Sequence, residues 1–445
     1  MSSDYGKLLP ALKKLLPDEK VNALGRVVAF IQRLRAIQAS VLVWSVVLSR
    51  FGQGRPGFEQ ARQWYERLAG SVPWPRAFQM RFKEASAVKL FAQAFEQAVS
   101  PWRSAERPRP KHRLARLFAD VVLWDSTLLQ VDDALKRWFP GTRKLAAGCK
   151  AVLAISVFGW VPLFARIASA NKSDFTLLPP LKRFAAGTLW LFDKGFVCVK
   201  FLRQIARCQM HYLCPMRQDG NPMVVGVRRA PAYVRKALRR SPGGVRLRSL
   251  LPKDKPIRQP WDLDVYVRPR SPGEGSGRYH LRLVIVPGPR HRRQLPYFTN
   301  LSAVAWNPAQ LRELYRLRWQ IELTFKELKQ SLNLEQLPTK DRHAVRVFIW
   351  ASLIALAVSR IVSGWLVPLE RLVGLASPIR PFLVTRALRA HIRVIGLALA
   401  KGSRAVTTLL LFVREELLAE VQSRDRRRDD SFARVKRLLT VGETA

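Results

Sequence analysis

Acidic residues are scarce in this chain: 32 Asp and Glu stand against 77 Lys and Arg, a formal net charge of +45 over 445 residues. The isoelectric point is near 11.4. A deficit of that size points to a polyanionic partner, with nucleic acid favoured over an anionic membrane surface. Cysteine and histidine are also few. Cys149, Cys198, Cys208 and Cys214 lack paired CxxC spacing and only six histidines accompany them, which argues against a Cys/His zinc site and makes reduced thiols the default. The opening stretch MSSDYGKLLPALKKLLPDEK carries charges throughout, so no secretory signal is expected there. Long apolar runs are limited to one, Val347 to Val367, which has the length of a membrane span. Arg360 interrupts it, Gly364 follows and basic residues flank it, so a buried core helix is expected, with no membrane partner. What is present is a hydrophobic content of 48%, enough for large cores in two to four domains.

Apolar positions recur at helical spacing through Val21–Leu48 and Phe58–Val99, with a break at Pro73 and Pro75. Residues 1–110 are therefore expected to form a helical domain, either DNA-binding or purely a packing unit. The basic, proline-rich stretch 107–113 reads as a linker. From residue 114 the period changes. The runs 118–124, 151–158, 163–168, 187–192 and 211–214 are rich in Val, Ile, Leu and Phe and read as strands. Strands alternating with helical stretches predict a mixed α/β core, its first part at 111–214 and its second at 298–375. Between them, residues 215–297 read as a basic β-rich insertion, with strands at 264–267 and 279–286. Eleven Lys or Arg lie between Arg228 and Arg258 against one acid, Asp254, which favours phosphate contact over a merely solvated face. Residues 376–445 are expected to be helical, and the charged run 424–430 to be exposed.

The most informative segment is Leu314–Leu332, LYRLRWQIELTFKELKQSL. On a continuous α-helix, Tyr315, Arg318, Glu322 and Lys329 fall within an arc of roughly 60°, with Lys326 on the same face. Leu314, Leu317, Ile321, Phe325 and Leu328 form a separate apolar stripe. One face packs while the other presents a lone carboxylate among basic and phenolic groups, an arrangement suited to a phosphodiester. Spaced surface ion pairs such as Glu322 to Lys326 would be the ordinary explanation, so the question is whether partner carboxylates exist. Two aspartates stand out. Asp125 follows the apolar run VVLW, and Asp193 follows GTLWLF. Either alone could be a strand-end cap or turn acid. Together with Glu322 they form a set able to hold two divalent ions for phosphoryl transfer. Asp120, the pair Asp132 and Asp133, and the pair Asp262 and Asp264 are the competing acids, ranked below.

Tyr315-x2-Arg318-x3-Glu322-x6-Lys329 resembles the Tyr-Arg-Glu-Lys signature of bacterial DDE transposases of the insertion-sequence-four family. The wording around Trp124-Asp-Ser-Thr127 and Asp193-Lys-Gly-Phe196 is similar to that family as well, and the likeness runs from about residue 115 to 360. The resemblance implies a ribonuclease-H-like catalytic core carrying a basic β-rich insertion and flanked by helical N- and C-terminal regions. Asp125, Asp193 and Glu322 would be its catalytic and metal-binding triad for Mg²⁺, or Mn²⁺, in a two-metal site. Tyr315, Arg318, Lys329, Lys326 and Trp319 would contact DNA; for Trp319 a packing role stands equally open. Family members often cut the second strand through a hairpin, with a base held by an aromatic residue in the insertion. Trp261 is the only tryptophan there, and a hydrophobic anchor is its expected role. The resemblance further implies double-stranded DNA partners (transposon ends and target), a homodimer in a synaptic complex, and a place in the bacterial cytoplasm at the nucleoid. The rival readings are a catalytically inactive or domesticated DNA-binding relic, and a nuclease of the same fold without strand transfer.

Overall fold

The computed structural model describes residues 8–31, 37–52, 56–71, 73–103, 113–252, 257–268, 277–288, 294–372 and 381–401. The N-terminal region folds as helices α1 (Leu8–Leu15), α2 (Asp18–Val27), α3 (Ala39–Ser49), α4 (Phe58–Ala69), α5 (Pro75–Phe82) and α6 (Ala85–Arg103). Pro75 sits at the first turn of α5, where a missing N–H costs nothing. Gly70 ends α4 with φ at 73°, a left-handed cap that a residue with a Cβ resists. The short α7 (Arg113–Leu117) leads into the sheet, while most of the proline-rich stretch 107–113 lies outside the described residues.

The strands are β1 (Val121–Gln130), β2 (Pro140–Thr142), β3 (Leu145–Ser156), β4 (Pro162–Ser169), β5 (Leu189–Phe192) and β6 (His211–Pro215). They continue as β7 (Met223–Arg229), β8 (Val245–Arg246), β9 (Trp261–Val267), β10 (Tyr279–Pro287) and β11 (Gln294–Thr299). Helix α8 (Val199–Arg207) follows β5 and packs on β6, and α9 (Ala232–Arg240) and α10 (Leu247–Leu250) lie between the later strands. All the strands join one mixed 11-stranded sheet in the order β2-β3-β1-β5-β6-β11-β10-β9-β7-β8, with β4 on β3. Strands β1, β5 and β6 run parallel, and β1 pairs antiparallel with β3. The stretch 215–297 is thus not a detached β unit: β11 hydrogen-bonds to β6 and carries the later strands onto the edge of the same sheet. Trp261 is 1% exposed, packed edge-on to Tyr233, as an apolar anchor should be.

Three sequence expectations change. The strand expected at 118–124 begins at Val121 and runs to Gln130, because β3 pairs with it along its whole length. Strands β2, β7, β8 and β11 and helices α9 and α10 are absent from the sequence reading, which placed only the strands at 264–267 and 279–286 in the basic, Gly- and Pro-punctuated stretch. The single helix expected over 314–332 is two, α11 (Pro308–Arg316) and α12 (Trp319–Gln330). Between them Leu317 and Arg318 keep helical dihedrals, but their N–H groups bond three residues back, to Leu314 and Tyr315, so the coil tightens for one turn. The apolar stripe holds across that junction: Leu314, Leu317, Ile321, Phe325 and Leu328 are all buried. Asn307 starts α11 through a reciprocal capping box with Gln310.

The apolar run 347–367 lies in α13 (Arg342–Leu372), followed by α14 (Pro381–Lys401). Residues 342–364 are long and apolar enough to cross a membrane, yet 89% of that window is buried within the chain. Helix α13 packs against α6, α3 and α14. Arg360, the charge that interrupts the run, is neutralised there by a two-pronged pair with Glu327 of α12 at 2.6 and 2.7 Å. The charged run 424–430 lies outside the described residues.

Candidate active site

The parallel pairing of β1 with β5 ends at Trp124 and Phe192. The next residues, Asp125 and Asp193, are therefore neighbours at the carboxyl edge of two adjacent strands, although Asp125 lies within β1 rather than at its end. Burial changes at the same point, from fully buried Val121–Trp124 to partly exposed Asp125, Ser126 and Thr127. Helix α12 packs against β1 and presents Glu322 to the same opening. The resulting cleft is lined by Asp125, Asp193, Arg318, Glu322, Lys326 and Lys329, with Ser126 and Thr127 on its strand side. Three acids separated by 68 and 129 residues in the chain thus share one cleft.

Arg318 is the electrostatic centre of this group. One guanidinium nitrogen donates to Asp125 Oδ2 at 3.1 Å and another to Glu322 Oε1 at 2.5 Å. The backbone N–H of Ser126 donates to the other Asp125 oxygen at 2.8 Å. Burial pushes the Asp125 carboxyl up to about 6, and the nearby Asp193 and Glu322 carboxylates push the same way; the Ser126 N–H and Arg318 offset part of it. Burial works against the charge of Arg318, but Tyr315, Glu322 and Asp125 outweigh it and hold that group above its ordinary value.

Tyr315 points its hydroxyl at the Phe192 carbonyl, 3.5 Å away, and packs against Tyr297. Its phenol is shifted strongly upward by burial, so it stays protonated and available as a donor. Lys329 lies at the far rim, donating to the Leu128 carbonyl at 3.3 Å and pairing with Glu335 at 2.7 Å. Lys326 is exposed in the cleft wall, and Trp319 is 51% exposed beside Arg318 in the chain. The face expected to carry Tyr315, Arg318, Glu322 and Lys329 together is thus divided. Arg318 and Glu322 join Asp125, Tyr315 turns to the end of β5, and Lys329 reaches toward β1.

Asp120, Asp132, Asp262 and Asp264 have partners away from the cleft, and Asp133 is exposed in the turn after β1. Asp120 precedes β1 and accepts from the Val121 N–H and from Ser156 Oγ. Asp262 makes a buried two-pronged pair with Arg282, and Asp264 pairs with Arg228 at 2.7 Å. Asp132 caps a turn after β1. Two acids at the cleft escaped the sequence reading, Glu335 on its rim, paired with Lys329, and Asp174 behind it. Asp174 accepts from Ser126 Oγ at 3.3 Å and pairs with Lys150 at 2.7 Å, bracing the strand behind Asp125. It sits in a turn without motif or periodicity, and no local signal marks it.

The donor set of the cleft is carboxylate oxygen throughout, the chemistry that hard divalent cations such as Mg²⁺ and Mn²⁺ take. Among the described residues no three His, Cys, Asp or Glu stand close enough to hold an ion in the present arrangement. The cation between Asp125 and Glu322 is instead the guanidinium of Arg318. Donor chemistry and the position of that stand-in charge both fit a divalent ion, provided that Arg318 gives way.

Residues 116–358 match the family described as the transposase DDE domain. A stretch of 57 residues is 42% identical to the putative transposase InsL for insertion sequence element IS186A of Escherichia coli (strain K12), covering 13% of this chain and 15% of that protein. The same degree of identity is found with the transposase for insertion sequence element IS421 of Escherichia coli, again over 15% of its length. Over 376 residues the chain is 21% identical to the transposase for insertion sequence element IS231F of Bacillus thuringiensis subsp. israelensis, covering 78% of this chain and 77% of that one.

Proposed function

The chain belongs to the transposase DDE domain family, and from that premise we propose that it is a DNA transposase of the insertion-sequence-four type. In this reading it binds the terminal inverted repeats of its element, cleaves at the element's ends and joins them to target DNA. The observation that carries the proposal is the meeting of Asp125, Asp193 and Glu322 in one cleft, bordered by Arg318, Lys326 and Lys329. A carboxylate cluster with a basic rim suits a phosphodiester, whose transfer needs positioning and charge neutralisation more than covalent catalysis.

The catalytic core, at 111–214 and 298–375, would be ribonuclease-H-like. The helical region 1–110 and the basic stretch 215–297 would hold the DNA, with 376–445 as a helical C-terminal region. Asp125, Asp193 and Glu322 would hold Mg²⁺, or Mn²⁺, in a two-metal site. Such ions, when bound, supply an activated water and a sink for the charge on the leaving oxygen. Arg318 would exchange its two carboxylate bonds for a DNA phosphate, which suits a planar donor that binds carboxylate and phosphate alike. Lys326 and Lys329 would neutralise flanking phosphates, and the Tyr315 hydroxyl would donate to the cleaved strand. Trp319, exposed beside Arg318, would stack near the DNA end. The freed 3′-hydroxyl then attacks a target phosphodiester in line. Two protomers on paired ends, working at the nucleoid, complete the reading.

The test is incubation of the purified chain with duplexes carrying the sequences that flank its coding region, Mg²⁺ and a target plasmid. End cleavage with joined products is expected, and both should disappear in Asp125→Ala. Cleavage without joining would favour a nuclease. Duplex binding without cleavage would favour a DNA-binding relic. Full cleavage by Asp125→Ala would remove Asp125 from the site.

A further inference from the structure

We infer that the β2–β3 hairpin and the turn leading into it form a second DNA-contacting surface, gripping the backbone of the element-end duplex away from the catalytic cleft. The inference rests on the reading of that cleft as the place where an end phosphate is held. After β1 the chain makes a short turn and presents Lys136, Arg137 and Trp138, then returns through β2 to a tip at Arg143 and Lys144. All five side chains are exposed. Among the described residues none of the four cations forms an ion pair: of the two acids that open the same turn, Asp132 caps it and faces Lys340 at 3.8 Å, and Asp133 is exposed.

Ordinary solvated charge is usually interleaved with acids and carried on mobile side chains. This segment differs in the absence of ion pairs to its four cations and in rigidity. Leu135 and Phe139 are 1% and 0% exposed, and Arg346 lies over the Phe139 ring at 4.8 Å. The hairpin backbone is so close-packed at Gly141 that a Cβ there would fall 1.8 Å from the Leu145 carbonyl oxygen. A close-packed scaffold therefore carries four cations without ion pairs, two of them next in the chain to Trp138, which is 41% exposed with Arg342 over its ring at 5.5 Å. A planar ring among fixed cations suits a phosphate backbone with sugar and base edges at hand.

The register places this surface relative to the cleft. Gln130 is five residues beyond Asp125 on β1, roughly 16 Å along a strand. Asp125 pairs with Leu153, and Lys144 lies nine residues back from Leu153 along β3, roughly 30 Å. At about 3.4 Å per base pair, a duplex following β1 out of the cleft would meet the hairpin about five to nine base pairs from the phosphate at Asp125. Lys329, bonded to the Leu128 carbonyl, marks the path between. The shared strand is why the occupant is the end duplex rather than a separate DNA: β1 carries both the carboxylate and the base of the hairpin.

The experiment compares the full chain with Lys136→Gln/Arg137→Gln/Arg143→Gln/Lys144→Gln, measuring affinity for an end duplex from low to high salt. Each lost phosphate contact should reduce the slope of log affinity against log salt by about 0.9, so the variant should be shallower by roughly two to four units. The loss should vanish on a duplex trimmed to about four base pairs on the hairpin side, which cannot reach it. Matched thermal unfolding shows that the variant is folded. If wild type binds steeply and the variant keeps that slope, the hairpin inference is wrong while the functional reading stands. If the loss persists on the trimmed duplex, or only target joining suffers, the hairpin serves other DNA and the assignment to the end fails. A wild-type chain with no salt-dependent binding would instead overturn the functional reading itself.

Discussion

Replacing Asp125 with Asn should stabilise the fold at neutral pH while abolishing cleavage. The Asp125 carboxyl is pushed up to about 6 from its ordinary 3.8, chiefly by burial beside Asp193 and Glu322. The folded state therefore holds a proton that the unfolded chain has released, so stability falls as pH rises from about 3.8 to about 6. The full difference corresponds to about 3 kcal/mol of destabilisation above that window, at 1.36 kcal/mol per pKa unit. At pH 5 about half of it remains. Asparagine keeps one oxygen for the Ser126 N–H, at the cost of the acceptor that faces Arg318, and carries no charge, so the burial cost of the carboxylate is removed. Urea unfolding of both proteins at pH 7.5 and pH 5 reads the result. The variant should be more stable by about 1–3 kcal/mol at the higher pH, and its advantage should shrink by about half at the lower. A variant less stable than wild type at pH 7.5, or an advantage independent of pH, would show that the buried carboxylate is not strained as argued. Mg²⁺ should raise the stability of wild type more than that of the variant, since binding to the folded state alone stabilises it.

Glu327→Gln should cost about 3–5 kcal/mol in urea unfolding, because it leaves the buried Arg360 guanidinium without its counter-charge. Cleavage should fall with it, since this pair ties α12, and hence Glu322, to α13. Arg318→Ala should raise the Asp125 pKa further by removing an opposing charge, seen as a shift of its titration to higher pH by NMR, and should lower end cleavage by about a hundredfold or more. Lys326→Ala should leave stability within about 0.5 kcal/mol and make the salt slope for duplex binding shallower by about 0.9.

Much of the site is legible in the chain because its pieces are local. Glu322 and its basic neighbours share one helical segment, and each aspartate follows an apolar run whose burial ends at the acid. The family resemblance joins the three, but periodicity alone does not. What the sequence reading misplaces is governed by pairing partners. Strand β1 runs past Asp125 because β3 extends alongside it, and nothing in residues 126–130 announces that partner. The tightened turn at Leu317 and Arg318 is likewise invisible in a pattern of apolar spacing, which the same five buried residues satisfy on either side of it. Asp174 comes to the cleft only through its bonds to Ser126 and Lys150.

By itself the sequence determined a strongly cationic chain with large apolar cores and an α/β centre. Those properties rest on composition and on short periods, which a linear chain displays. Tertiary structure decided what each charge faces. Arg360 looked like a flaw in an apolar helix and is the buried partner of Glu327. Arg318 looked like one member of a helix face and stands between two carboxylates as the cation of the cleft. Charge is additive along a chain, but its energy depends on distance and burial, and only the fold sets those.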